Sequence, residues 1–328
     1  MIHLRTGIAI LALIAASNFT AAHFMAAHAQ DPYPTRPVRM IVGFAPGGGT
    51  DLTARPVAQK MSELLGQQVI VENRPGAAGN IATEQVARAA PDGYTILMGT
   101  IAALAINPSL YGNLKFDPET DFAPVIQVVD ATNVLALHSS VPANSVKELI
   151  ALAKQRSLSA GSSGIGATGH LAIELFNVMA GVKLVHVPYK GGGPAMTDLV
   201  GGQVQLVFAT TASAIPHIKA GRLKGIAVTT IRRSALLPET PTISEAGLTG
   251  FDANNWYGIV VPARTPRAII DQLNAVVTKI LAMPDVRTTL QNQGLDPAGG
   301  TPEQFGAYIR SERAKWAKVI KESGAKAE

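Results

Sequence analysis

The chain has 328 residues, a formal charge of +5 and no cysteine. Its 47% hydrophobic and 16% charged residues are typical of an ordered globular protein and exclude a disordered one. The mild positive charge forms no basic stripe interleaved with aromatic residues, which argues against nucleic-acid binding. The absence of cysteine excludes disulfides and thiolate–zinc chemistry. Because the length exceeds what one hydrophobic core usually holds, we expect two lobes.

The N-terminus has the pattern of a secretory signal peptide, which we place at residues 1–29. Arg5 lies in a short basic segment, residues 8–16 are apolar, and residues 27–29 (AHA) match an A-x-A cleavage pattern. The apolar run is far shorter than the roughly 20 residues that cross a bilayer. We therefore predict export to the periplasm and no membrane insertion of the mature chain.

Two strand–turn–helix units follow the signal peptide. Apolar strands are predicted at residues 38–44 and 69–71, and each runs into a glycine-rich turn and then a helix. Consecutive glycines leave backbone amides uncovered, and the next helix adds its unpaired N–H groups and the positive end of its dipole. Such a turn is a ready anion site without a charged side chain. With a third strand at residues 94–98, the βαβαβ order predicts a parallel sheet.

The second half of the chain repeats this organisation. The segment GSSGIGATGH at residues 161–170 opens one predicted helix, and PYKGGGP at residues 188–194 opens another. We predict that the chain crosses between the lobes near Asp130 and returns in a strand at residues 255–261. If the carboxyl edges of two sheets face each other across a hinge, they form a cleft lined with helix N-termini.

The predicted fold is therefore α/β, with two open, mostly parallel sheets, helices on both faces of each sheet, and two crossover strands. Lobe 1 is predicted to comprise residues 30–130 and 255–328, and lobe 2 residues 131–254. This arrangement is a trap for a small ligand, and the amide-rich turns favour a carboxylate.

Four segments in the expected order carry a family resemblance: YPTRPVRMIVGFAPGGGTD, ENRPGAAGNIATEQVARAAPDGYT, HVPYKGGGPAMTDLVGGQV, and the PETPTISEAG run with its later WYG. On these segments the mature chain resembles the Bug family, the extracytoplasmic solute receptors of tripartite tricarboxylate transporters. The resemblance implies a bilobal, type II-like periplasmic-binding-protein fold that closes like a Venus flytrap. It also implies a small carboxylate ligand, delivery to membrane permease subunits, and no catalytic activity. We expect a monomer without cofactor or metal.

In this family the ligand is held mainly by backbone amides and ordered water, and by position the resemblance points to residues 46–51, 76–79 and 163–168. The chain departs from many relatives at residues 207–210 (VFAT), where an acidic or amide residue often follows the strand. We therefore do not predict, at residues 207–210, the polar ligand contact that such a residue would make in those relatives. The predicted ligand-binding residues are Pro46, Gly47, Gly48, Gly49, Thr50, Asp51, Gly76, Ala77, Ala78, Gly79, Thr100, Ser163, Gly164, Thr168, Lys190 and Gly191.

Asp51 differs from the other residues of this set, because its carboxylate beside an anion site repels a negatively charged ligand. We favour a role in capping the helix that follows the turn. The alternative is that Asp51 binds an amino or hydroxyl group of the ligand.

Two other patterns allow rival functions. Residues 164–169 match the letters of the G-x-G-x-x-G dinucleotide motif, but the preceding segment is polar and no acidic residue lies about 20 positions on. The segment AGSSG at residues 160–164 is close to the G-x-S-x-G motif, so the rival class is a secreted α/β serine hydrolase using Ser162 or Ser163. A third possibility is a receptor that presents its ligand to a sensor kinase instead of a transporter.

Overall fold

The computed structural model describes residues 33–324 and Lys326. The predicted signal peptide, residues 1–29, lies outside these residues. Arg36–Glu328 forms one compact unit, and every helix and strand given below belongs to it. Among the described residues, no helix combines the length and the apolar character that crossing a bilayer requires.

The named elements alternate between strands and helices along most of the chain. The strands are β1 (Val38–Val42), β2 (Val69–Asn73), β3 (Thr95–Thr100), β4 (Phe122–Ala131), β5 (Asn133–His138), β6 (Ser159–Ser162), β7 (Val185–Pro188), β8 (Leu206–Thr210), β9 (Leu223–Val228), β10 (Asn255–Pro262) and β11 (Leu295–Gly299). The α-helices are α1 (Gly49–Leu65), α2 (Asn80–Ala87), α3 (Asn107–Leu110), α4 (Val146–Gln155), α5 (Thr168–Ala180), α6 (Gly192–Val200), α7 (Thr211–Lys219), α8 (Arg267–Ala282), α9 (Pro284–Gln291) and α10 (Pro302–Ser323). A short 3₁₀ turn (Ala77–Gly79) precedes α2, and a π-helical turn (Ala102–Ile106) precedes α3.

The strands form two sheets, and we call each sheet with its helices a lobe. Lobe 1 has the six-stranded sheet, in the order β11-β4-β10-β3-β1-β2, and lobe 2 has the five-stranded sheet, in the order β7-β6-β8-β5-β9. The predicted α/β class and the two-lobed organisation are confirmed. The residue ranges that we assigned to the lobes remain a prediction.

The strand directions correct one part of the prediction, because both sheets are mixed and not mostly parallel. Three of the five pairings in the first sheet and two of the four in the second are antiparallel. The cause lies in the crossing strands. In lobe 1, β4 carries the chain out and β10 brings it back, so these two neighbours run in opposite directions.

The crossing itself is short, since Thr132 alone separates the end of β4 from the start of β5. All eight residues of the returning strand β10 are buried, which suits a strand covered on both faces. Trp256 in β10 is fully buried, and its ring packs edge-on against Phe305 of α10 with the ring centroids 5.5 Å apart. The returning strand that joins the two lobes is therefore buried and mostly apolar.

Candidate functional site

The first glycine turn leads from β1 to the N-terminus of α1. Gly47 has a φ of +82°, in the left-handed region that favours glycine. Gly48 is the N-cap and α1 begins at Gly49, so the first N–H groups of this helix have no partner within the helix. Gly48, Gly49 and Thr50 line a cavity of about 50 Å³ between the lobes, which we call the hinge cavity.

Both lobes contribute walls to the hinge cavity. Lobe 2 brings the N-termini of α5 at Thr168, α6 at Gly192 and α7 at Thr210, so with α1 four helix N-termini from the two lobes reach one cavity. Positive helix ends and amide donors favour an anion. None of the lining residues has a charged side chain. The remaining lining residues are Phe44, Thr100, Ala102, Asn133, Ser163, Ala167, Gly169, Gly192, Val207, Phe208, Ala209, Thr210, Ser213, Asn255 and Tyr257.

A second cavity of about 290 Å³ shares Phe44 and Ser163 with the hinge cavity. Its walls are completed by the second glycine turn of lobe 1 and by four further segments of the two lobes. Together these supply Gly43, Gly76, Ala77, Ala78, Tyr111, Gly164, Ile165, Pro188, Tyr189 and Lys190. Ala77 and Ala78 have φ values of +46° and +50°. A left-handed conformation costs an alanine roughly 1–2 kcal/mol, and backbone strain of this kind concentrates at functional sites.

The glycine turns of the two lobes are in direct contact. The Ala45 N–H donates a hydrogen bond of 3.1 Å to the carbonyl oxygen of Lys190. The Tyr111 hydroxyl also donates a hydrogen bond of 2.6 Å to the carbonyl oxygen of Ile165. A Cβ atom on Gly191 would lie 2.8 Å from the nitrogen of Ala45, so this approach requires glycine. The lobes are closed around both cavities.

The Asp51 carboxylate is bound by groups of its own lobe. Its two oxygens accept hydrogen bonds of 2.9 Å each from Arg55, 3.0 Å from Asn73 and 3.1 Å from the Gly47 N–H. Burial raises the pKa of Asp51, but these hydrogen bonds outweigh it and hold the pKa below its ordinary value. The predicted N-cap role is therefore corrected, because Gly48 occupies that position and Asp51 lies in the first turn, where it binds back to Gly47.

A network of neutral side chains forms the hinge side of the cavity. The Tyr257 hydroxyl accepts a 3.0 Å hydrogen bond from Asn255 Nδ2, and the Asn255 Oδ1 accepts one of 2.9 Å from the Trp256 N–H. Thr210 Oγ1 and Ser213 Oγ are 3.2 Å apart. Burial raises the pKa of Tyr257 to about 12, so its hydroxyl stays protonated at neutral pH.

The predicted ligand-binding residues fall into distinct places. The hinge cavity takes Gly48, Gly49, Thr50, Thr100, Ser163 and Thr168, and the second cavity takes Gly76, Ala77, Ala78, Gly164 and Lys190, again with Ser163. Pro46 and Gly47 line a separate side groove of about 630 Å³ at the edge of the lobe junction. Asp51, Gly79 and Gly191 make protein contacts instead: Asp51 with Arg55, the Gly79 N–H with the Gly76 carbonyl, and Gly191 with Ala45.

Sequence reasoning missed the hinge side of the cavity. Its residues are Phe44, Asn133, Thr210, Ser213, Asn255 and Tyr257. A signal was present for two of them, because Asn133 and Asn255 are polar residues that begin otherwise apolar strands. Both strands enter a sheet directly after a lobe crossing, which is where a cleft between lobes must lie.

Of the two serines named in the hydrolase alternative, Ser162 is inaccessible, whereas Ser163 lines both cavities. Ser162 Oγ lies 2.6 Å from His186 Nε2, as in a nucleophile–base pair, but Ser162 is fully buried. Its hydroxyl also accepts the Gly164 N–H and donates to the Gly164 carbonyl, both at 3.1 Å. Ser162 therefore fixes the turn that carries Ser163 and is not exposed to a substrate.

A family model described as "Tripartite tricarboxylate transporter family receptor" matches residues 53–325. Among curated proteins, Protein BugT of Bordetella pertussis (strain Tohama I) is 37% identical over 299 residues, which are 90% of this chain and 92% of BugT. A UPF0065 protein from the tcbD-tcbE intergenic region of Pseudomonas sp. (strain P51) is 39% identical over 295 residues, 89% of this chain and 88% of its own.

Solved structures of similar sequence share the fold. The structure of R. palustris Rpa4515 with adipate is 40% identical with a TM-score of 0.87, and the match covers 89% of this chain and 98% of that one. Periplasmic binding protein BugD is 38% identical with a TM-score of 0.87, covering 90% and 100%. MatC from Rhodopseudomonas palustris with bound malate is 32% identical with a TM-score of 0.85, covering 88% and 100%.

Proposed function

Because the chain belongs to the tripartite tricarboxylate transporter receptor family, we propose that it is a periplasmic receptor that captures a small carboxylate between its lobes. It then delivers the carboxylate to the membrane subunits of a transporter of that type. Receptors of this class close around a ligand by a hinge motion, and the free energy of closure comes from contacts that both lobes complete. In this chain the crossing at Thr132 and the returning strand β10 provide the hinge.

The observation that carries this proposal is the composition of the hinge cavity. Helix N-termini from both lobes face it, and no acidic side chain lines it. A carboxylate is the small-molecule group that best fits amide and hydroxyl donors in a site without charged side chains. Thr50, Thr100, Ser163 and Thr168 supply hydroxyl groups, and the starts of α1 and α5 supply backbone N–H groups.

Two relatives support a dicarboxylate as the ligand class, since the structures of Rpa4515 and MatC contain adipate and malate. The geometry accommodates a second carboxylate. The hinge cavity shares the wall residues Phe44 and Ser163 with the larger second cavity, which is also lined by the basic residue Lys190 and by Ala77 and Ala78. We infer that one carboxylate occupies the hinge cavity and the other reaches toward Lys190.

We further propose that the protein has no catalytic activity. The family is one of receptors, and Ser162, the residue closest to a nucleophile motif, is fully buried. Purified protein should not hydrolyse a generic ester faster than buffer does, and Ser162→Ala should leave the hydrolysis rate unchanged. The receptor is proposed to act as a monomer, because its cavities are completed by its own two lobes.

Isothermal titration of the purified protein tests the proposed function. We expect at least one of malate, succinate, adipate and citrate to bind with a Kd in the micromolar range or tighter. The diamide of malic acid is the matched control: it keeps the shape of malate but removes both negative charges, so it should not bind measurably. If every carboxylate binds only at millimolar concentrations, or if the diamide binds as tightly as malate, the proposal is wrong.

A further inference from the structure

The turn at residues 163–168, which we call the binding turn, supplies part of the lobe 2 wall of both cavities. Ser163 lines both of them, Thr168 lines the hinge cavity, and Ile165 lines the second cavity. Gly166 lies within the turn at a φ of +87°, a conformation that a glycine adopts about as readily as several others. The shape of the binding turn therefore depends on contacts that hold Gly166 in place.

His170 provides such a contact from the first turn of α5. Its Nδ1 accepts the Gly166 N–H at 3.1 Å, and the side chain is buried. Burial lowers the pKa of His170 to about 4, so the ring is neutral at neutral pH and Nδ1 can act as an acceptor. The bond reaches back across the start of the helix, much as the third-residue glutamate of a capping box does.

Lobe 1 packs against the same glycine. A Cβ atom on Gly166 would overlap Asn107 Oδ1 and would lie 3.0 Å from a ring carbon of Tyr111. The Tyr111 hydroxyl donates to the carbonyl of the neighbouring Ile165. The position of Gly166 relative to His170 therefore also sets the surface on which lobe 1 closes.

The other hydrogen bonds of the binding turn fix Gly164 and leave Gly166 to His170. The Ser162 hydroxyl accepts the Gly164 N–H, and the Ala167 N–H donates to the Gly164 carbonyl, both at 3.1 Å. In the described part of the chain, no group besides His170 Nδ1 accepts the Gly166 N–H. Gly166 is buried, so without Nδ1 this donor would be unpaired in the present shape of the turn, which costs free energy.

We propose that His170 is a positioning residue for carboxylate binding, whose Nδ1 holds the binding turn in the shape that completes both cavities. His170 lines neither cavity, so it acts through the turn and not by contact with the ligand. This inference rests on the proposed function and adds a residue to its site. If Nδ1 is lost, binding must also order the turn, so every carboxylate should lose affinity by a similar factor.

Two amide substitutions of His170 test the inference, because they place an acceptor at different distances from the backbone. The amide oxygen of asparagine lies as many bonds from the backbone as Nδ1, whereas the amide of glutamine lies one carbon farther out, level with Nε2. The probe is whichever of malate, succinate, adipate and citrate binds wild-type protein most tightly, titrated at neutral pH. We expect His170→Asn to keep the Kd within about threefold of wild type, whereas His170→Gln and His170→Leu weaken binding about five- to tenfold, the equivalent of one hydrogen bond.

His138→Leu is the matched control. His138 Nδ1 also accepts a backbone N–H, that of Ser140 at 3.3 Å, but His138 ends β5, whereas Asn133 at the hinge cavity begins it. The control should therefore leave the Kd unchanged. Thermal unfolding shows whether each variant is folded at the temperature of the titration. If His170→Leu is not folded there, the comparison of His170→Asn with His170→Gln still decides.

Two results would overturn the positioning role while leaving the receptor function intact. One is a wild-type Kd in His170→Gln and His170→Leu, even with a lowered Tm, because the bond would then stabilise only the fold. The other is an equal loss of affinity in His170→Asn and His170→Gln, because the position of the acceptor would then not matter. Failure of all four carboxylates to bind wild-type protein would instead overturn the proposed function.

Discussion

Asp51 shows how a carboxylate is kept beside an anion site without repelling the anion. Arg55 binds both of its oxygens, and the pair has the i,i+4 spacing of a stabilising helical ion pair. The Asp51 side chain is only 4% exposed, whereas that of Arg55 is 52% exposed, so the negative charge is neutralised inside lobe 1. The i,i+4 spacing of Asp51 and Arg55 can be read directly from the sequence. It explains why Asp51 need not contact the ligand.

A pair of stacked histidines lies beneath the turn that carries Ser163. The rings of His170 and His186 are 4.2 Å apart at their centroids, and His170 Nδ1 accepts the Gly166 N–H at 3.1 Å. Burial lowers the pKa of His170 to about 4, and burial together with the neighbouring His170 lowers the pKa of His186 to about 4. Glu174, 3.8 Å from His170, has a pKa raised by burial. Both imidazoles are therefore neutral in the folded protein at neutral pH.

This pair predicts an acid-sensitive stability. Between a pH of about 6.5 and about 4, unfolded histidines bind protons that the folded ones do not, so stability is full above that window and falls as the pH drops through it. His170 alone should contribute a loss of about 2 kcal/mol between about pH 7 and pH 5. The measurement is urea unfolding at both pH values.

His170→Asn is the comparison that isolates this contribution. Other groups also titrate in the window, including Asp130, whose pKa burial raises to about 6 and which acts in the opposite direction. If the variant and the wild type lose the same stability between the two pH values, the histidine pair is not responsible.

At the scale of the elements, the start of α1 is packed closely against lobe 2. A Cβ atom on Gly49 would lie 2.6 Å from Thr210 Oγ1 of lobe 2 and 2.7 Å from the Tyr257 hydroxyl oxygen. Gly49 has ordinary helical geometry, and alanine suits a helix at least as well as glycine. A methyl group here therefore obstructs closure of the lobes without harming the helix itself.

Gly49→Ala should weaken both binding and folding. Overpacking costs about 1–3 kcal/mol, and because Thr210 belongs to lobe 2 and Tyr257 to lobe 1, the affinity for malate should fall roughly tenfold or more and the Tm should fall as well. Gly112→Ala is the control, because a Cβ atom there would meet no atom within 4 Å. Unchanged malate affinity in Gly49→Ala, measured by titration, would show that α1 does not approach lobe 2 in the bound state.

The local elements were predictable because their signals are local. The apolar run of β1, the glycine turn after it and the helical spacing of α1 all lie within a few turns of chain, and the structure has them close to the predicted bounds. Ser145 likewise caps α4, its hydroxyl accepting the Glu148 N–H, and a serine three residues before a glutamate is a local signal for a helix start. The Glu148 carboxylate does not complete a capping box, because it accepts the N–H of Asn144 instead of that of Ser145.

Strand direction and the hinge network were not predictable in the same way. Whether β10 runs parallel or antiparallel to β3 depends on how the chain returns from lobe 2, and no residue of β10 encodes this locally. The contacts among Thr210, Asn255 and Tyr257 join residues up to 47 positions apart and exist only once both lobes are in place. Family resemblance predicted the turns of the site, which lie next to motifs, but not these residues.

At the scale of the molecule, the predicted membership of the tripartite tricarboxylate receptor family is confirmed by the family match and by BugT and BugD. Closure depends on contacts made by both lobes: the Ala45–Lys190 and Tyr111–Ile165 hydrogen bonds, and a third from Thr211 Oγ1 to the Gly294 carbonyl at 3.1 Å. Ligand capture is thus coupled to the position of the whole of lobe 2 relative to lobe 1.

In the proposed complex, backbone nitrogens at helix N-termini, and not a charged side chain, bind the carboxylate that lies in the hinge cavity. A crystal structure of the protein with malate tests it directly. We predict closed lobes with one malate carboxylate in the hinge cavity, its oxygens about 3 Å from the backbone nitrogens of Gly49 or Thr50 and of the start of α5. Malate bound outside the cleft, or held only by Lys190 Nζ with those nitrogens facing away from it, would contradict the claim.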